Sequence, residues 1–246
     1  WNQLSIIILD PILDNAKNTK NLFISPDSAL NRVPFAVLKN IDKNNYLTED
    51  YNIRLLTTGR ELIELKKNSN VSSRNSLIVA NPKFTLQKDE EINPNLKLKN
   101  QLRSVGLEDQ IWERLPGTLK EGIQISNLTE GELLVDEKAS ALNIQNRKAL
   151  KILHIASHAY YLNNNDLEIN SLLKSGIVLA GANHPELNPK DDGYLTALEI
   201  SKLNWIGTEL VVISACESGL GDIESGEGVY GIKRSISVAG ARSSLL

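Results

Sequence analysis

The chain has a single cysteine, Cys216, so no internal disulfide can hold it together. Its stability must come from a packed core. The thiol is then either an inert buried side chain or a nucleophile, and a lone cysteine with histidines elsewhere in an intracellular chain is a candidate for the second role. Long apolar runs are also missing. Stretches such as Ile6-Ile7-Ile8-Leu9 fall far short of the roughly 20 residues that a bilayer-spanning helix needs. The opening residues lack the basic head, apolar stretch and small-residue cleavage site of a secretory leader. There is no basic stripe and no block of like charge, and the formal net charge is only −3. That balance argues against direct contact with nucleic acid. The expectation is a cytoplasmic domain with no membrane contact, no metal and no cofactor.

What is present is enough for a core: 246 residues, 41% of them hydrophobic. We read them as one domain over 1–246, with an N-terminal hairpin or edge region of about 1–70 and a core of about 71–246. Trp1 stands first and Leu246 ends the text inside an apolar run, as expected of a piece cut from a longer chain.

Apolar, β-rich runs alternate with helical patterns. Strands are expected at 76–80, 151–156, 176–180 and 209–215, with a last one beginning at 242–246. Helices are expected after a loop within 115–126, over 138–149, over 196–203 and over 227–238. Thr196 with Glu199 forms a capping-box pattern for the third of these. Continuous apolar strands between helices predict a mostly parallel sheet covered on both faces, an α/β/α sandwich with right-handed crossovers. Residues 22–27 and 54–56 read as strands around a short helix at 34–38, forming an antiparallel N-terminal edge on the same sheet. The Asn- and Lys-rich stretch 87–101 reads as a surface loop.

Two of these strands end in reactive side chains. One runs to Ala156 and then to Ser157 and His158; the other runs to Ala215 and then to Cys216. Ligands gather at the carboxyl ends of parallel strands, so neighbouring strands would bring the pair to one edge. They lie 58 positions apart, 158 to 216, close to the spacing of a caspase-type His and Cys. An imidazole can take the thiol proton and later give it to a leaving amine. Backbone N–H groups of Ala159 and Cys216 are the candidates to hold an oxyanion.

Other patterns have blander readings. His154 is read as a hydrogen-bonded residue of the core or as a support behind the reacting groups, rather than as a reacting group itself. A zinc set of His154, His158, His184 and Cys216 fits by residue type but lacks motif spacing. Gly226-x-Gly228-x-x-Gly231 matches a dinucleotide fingerprint as text, without the tight strand-to-helix turn that such a site needs. Asp222, Glu224 and Glu227 form an acidic stretch after the cysteine. It is either a solvated loop or the lining of a pocket that selects Lys or Arg before the scissile bond.

The blocks Ile-Leu-His-Ile-Ala-Ser-His-Ala at 152–159 and Val-Val-Ile-Ser-Ala-Cys-Glu-Ser-Gly-Leu-Gly at 211–221 resemble the His and Cys blocks of CHAT domains. These are caspase-like modules related to caspases and separases and often joined to tetratricopeptide repeats. Further blocks at 24–38, 115–121, 137–140, 192–200 and 226–244 resemble the rest of the family pattern in the same order. The resemblance implies a caspase-like fold and a cysteine endopeptidase with a Cys-His dyad, in which His158 is the acid/base and Cys216 the nucleophile. It also implies a protein substrate, an upstream repeat domain or activating protein partner, and a regulated role in bacterial signalling, defence or cell death. The family pattern has Gly after the His where this chain has Ala159. That departure keeps a second reading open, a catalytically inactive interaction or scaffold module.

Overall fold

A computed structural model describes residues 2–16, 19–27, 30–31, 33–40, 44–63, 75–86, 107, 110–162, 170–188, 190–215 and 227–246. The chain divides into two compact units, Trp1–Glu64 and Leu65–Leu246.

The first unit contains helix α1 (Asn2–Asn15), strand β1 (Asn21–Ile24), a two-stranded antiparallel ribbon of β2 (Lys39–Asn40) and β3 (Asn45–Tyr46), the one-turn helix α2 (Leu47–Asp50) and strand β4 (Asn52–Leu55). Leu9, Phe35, Leu38 and Leu47 form its core. The expected antiparallel edge on the main sheet is corrected here. β1 and β4 pair parallel, Asn21 opposite Asn52, in a two-stranded sheet of their own. The reason is the connection: the ribbon and α2 carry the chain back to start β4 in the direction of β1, as a parallel neighbour requires.

The second unit is built on a five-stranded sheet. It contains β5 (Leu77–Pro82), β6 (Glu132–Asp136), β7 (Ile152–Ala156), β11 (Leu210–Ser214) and β12 (Ser244–Leu245). The order is β12-β11-β7-β5-β6 and every pairing is parallel. All residues of β5 are buried, as expected for a parallel strand covered on both faces.

Alternation along the strands decides which helix covers which face. Leu77, Val79, Leu153, Ile155, Val211 and Ile213 point into one core with residues of three helices, α4 (Ala141–Gln145), α5 (Ala197–Lys202) and α6 (Glu227–Ala239). The other face meets α3 (Pro116–Thr129). A Cβ on Gly122 of α3 would come within 2.5 Å of the Ala80 Cβ, so this glycine lets the helix lie close on β5. The result is the expected α/β/α layering.

Several local expectations match. Pro116 opens α3 at a position where a missing N–H costs nothing. Thr196 caps α5, with its hydroxyl accepting from the Glu199 N–H and Glu199 Oε2 accepting from the Thr196 N–H. The helix expected over 138–149 is shorter. It begins at Ala141, because the left-handed Asp136 and the turn after it occupy the earlier residues. The carboxylate of Asp191 accepts the N–H groups of Ala141 and Leu142 at its start. β6 was not anticipated.

The strand expected at 176–180 exists as β9 (Ser175–Val178) but lies outside the parallel sheet. It pairs antiparallel with β8 (His158–Tyr161) and β10 (Tyr194–Thr196) in a sheet ordered β10-β9-β8. β8 ends at Tyr161 opposite Ser175, where β9 begins, so the two strands follow one another in sequence and lie side by side as an antiparallel pair. The 87–101 loop lies outside the described residues.

Candidate active site

β7 is the middle strand of the parallel sheet, and its carboxyl end is where the chain changes sheets. β7 stops at Ala156 and β8 starts at His158, with Ser157 as the single joint. The Ser157 N–H donates to the Ser214 carbonyl at 3.2 Å, tying the joint to β11, and its hydroxyl donates to the Val178 carbonyl of β9. His158 is therefore fixed by both sheets at once.

The imidazole is almost buried, at 8% exposure. Two aromatic rings pack against it, Phe84 and Trp112, each with its centroid 5.3 Å away in a tilted arrangement. Its Nε2 is 2.8 Å from the backbone carbonyl of Glu113. A carbonyl only accepts, so Nε2 must carry the hydrogen. Neutral His158 is then the Nε2–H tautomer, and its Nδ1 holds the lone pair that can take a proton. When Nδ1 is protonated the Nε2–H bond to Glu113 remains and strengthens, because the donor is now charged.

β7 and β11 are adjacent and parallel, with Leu210 opposite Ile152 and Ser214 opposite Ala156. Cys216 itself lies outside the described residues, as do Asp222 and Glu224, while Glu227 opens α6 with its side chain outside them. Ala159 is described. The N–H of Leu162 donates to the Lys174 carbonyl at 2.7 Å, which makes that pair a hydrogen-bonded one. Counting back along the regular β8–β9 register, the pairs at Tyr160 and His158 are hydrogen-bonded too, and Ala159 opposite Ile177 falls between them. Its N–H thus turns away from β9. Ala159 is a strand residue and is not among those with positive φ, so its Cβ occupies ordinary backbone.

The remaining histidines have other partners. His154, 5% exposed in the middle of β7, has Nε2 2.9 Å from Oε1 of Glu121 on α3. This is the hydrogen-bonded core role expected of it. His184 is a half-buried residue with its Nδ1 3.4 Å from Oε1 of Glu186. Among the described residues no three or more His, Cys, Asp or Glu side chains group as metal ligands. Gly231 lies inside α6, where a Cβ would come within 2.8 Å of the Ser175 Oγ of β9. That glycine serves close helix-to-strand packing. Tyr160 is buried beneath the same region, and burial, with Tyr194, Glu199 and Asp192 nearby, holds its hydroxyl far above the usual phenol range.

Phe84, Trp112 and the Glu113 carbonyl were not foreseen from the sequence. The aromatic scarcity, 5% of residues, was the one available hint for Trp112; a backbone carbonyl leaves no trace in side-chain identity.

Comparison with known proteins finds a match to the family model of the CHAT domain over residues 1–246, the whole chain. No curated protein matches it.

Proposed function

We propose, from the premise that this chain belongs to the CHAT domain family and so to a caspase-like, peptidase-related group, that it is a cysteine endopeptidase working through Cys216 and His158. The observation that carries the reading is the register of β7 and β11. Ser214 sits opposite Ala156, and the sequence runs two residues further to Cys216 on one strand and to His158 on the other.

The chemistry then follows from the imidazole. Nδ1 of His158 takes the Cys216 proton, and the imidazolium is stabilised through Nε2–H by the Glu113 carbonyl. The thiolate adds to the scissile carbonyl. The N–H groups of Ala159 and Cys216 hold the resulting oxyanion. His158 returns the proton to the leaving amine, and water hydrolyses the thioester. Asp222, Glu224 and Glu227 select a basic residue before the scissile bond. An upstream repeat domain or activating partner controls access, in a bacterial cytoplasmic signalling, defence or cell-death response.

Cys216→Ala and His158→Ala should each abolish cleavage of a peptide library with unchanged circular dichroism. Cleavage that persists in either variant refutes the dyad.

A further inference from the structure

The orientation of His158 depends on where the Glu113 carbonyl is held, and one residue ties that segment to the rest of the site. The side-chain Oδ1 of Asn183 accepts the Trp112 N–H at 2.8 Å, and its Nδ2 donates to the Trp112 carbonyl at 3.0 Å. The second Nδ2 hydrogen goes to Thr85 Oγ1 at 2.9 Å. The backbone N–H of Asn183 donates to the Phe84 carbonyl at 3.0 Å. One primary amide therefore uses its acceptor and both donors on the two segments that supply Phe84 and Trp112, the rings packed against His158. Glu113 directly follows Trp112, so the same bonds set the carbonyl that receives Nε2–H. Two further ties support the segment: Trp112 Nε1–H donates to the Tyr194 hydroxyl, which donates to the Ala182 carbonyl, both at 3.1 Å. Arg114 bonds the Asn81 carbonyl and Asp136 from the other side.

We infer that Asn183 is a positioning residue: it holds the Trp112–Glu113 backbone so that His158 is locked as the Nε2–H tautomer with Nδ1 free of that proton. The inference extends the proposed dyad by naming what aims its base. The chemistry requires an amide. Alanine removes all three side-chain bonds. Aspartate keeps the size and the acceptor but has no donor for the Trp112 carbonyl or Thr85.

The test is long-range ¹H–¹⁵N NMR of the imidazoles in the whole chain, which has only three histidines. In the native protein the His158 nitrogen shifts should report a pure Nε2–H tautomer. In Asn183→Ala and Asn183→Asp the tautomer should become mixed. His154 and His184 should not move. Thr85→Val, at an exposed position, removes a single bond and should give a smaller change in the same direction should the Asn183 variants fail to fold. An unchanged tautomer in folded Asn183 variants, or in Thr85→Val when only that variant folds, overturns the inference. Equal shifts in all three histidines would mean general loosening and overturn it as well. This readout does not involve the thiol. Failure of the dyad would instead appear as Cys216 alkylation that is indifferent to His158→Ala.

Discussion

Consider cutting the tie between the strand that leads to His158 and the helix that follows Glu113. His154 lies between β7 and α3 at 5% exposure, and Glu121 is its partner at 2.9 Å with a side chain 34% exposed. Glu121→Ala leaves a ring nitrogen buried without its acceptor, which costs about 1–3 kcal/mol for a fully enclosed group. Water reaches the Glu121 side of the pair, so we expect the lower part of that range, about 1–1.5 kcal/mol. His154→Ala loses the same bond and leaves a cavity between β7 and α3, for about 2–4 kcal/mol. The double variant should cost less than the sum by about 1 kcal/mol, since the bond can be lost only once. Urea unfolding at pH 7 followed by tryptophan emission reads this unit well, because Trp112 and Trp205 are both buried in it. Each kcal/mol should lower the melting temperature by about 2–4 °C for a unit of this size. A coupling energy below about 0.3 kcal/mol would show that the contact adds nothing beyond what solvent offers, and that the packing of Gly122 on Ala80 alone seats α3.

Other outcomes are equally specific. The Tyr160 hydroxyl is buried with no hydrogen-bond partner among the described residues, so Tyr160→Phe should stabilise the protein by about 1 kcal/mol in the same urea assay; a loss of stability would reveal a bond we do not see. The folded Tyr160 also resists ionisation while an unfolded tyrosine does not. Its contribution is complete below the ordinary phenol pKa of about 10 and fades as pH rises above it, so Tyr160→Phe should flatten the alkaline fall in stability. Gly231→Ala should cost about 1–3 kcal/mol through the Ser175 contact. Adding a dinucleotide should not raise its melting temperature or that of the native chain. A ligand-induced rise would reopen the reading of 226–231 as a nucleotide fingerprint.

Local pattern made much of this protein legible. β5, β7 and β11 announced themselves as mostly apolar runs because both faces of a parallel sheet are covered, and the Thr196–Glu199 cap could be read because its bonds span three residues. The order in which His158 and Cys216 follow their strands is also a property of the text alone. Pairing was different. Whether β9 joins the parallel sheet or turns back on β8, and whether β1 meets β4 parallel or antiparallel, depends on the path of distant connections, which neither strand encodes. The surroundings of His158 belong wholly to the tertiary structure. Its rings come from positions 84 and 112, its acceptor is a main-chain carbonyl, and the amide that aims that carbonyl is at position 183. Main-chain groups are the same at every residue, so only folding decides which of them faces the imidazole.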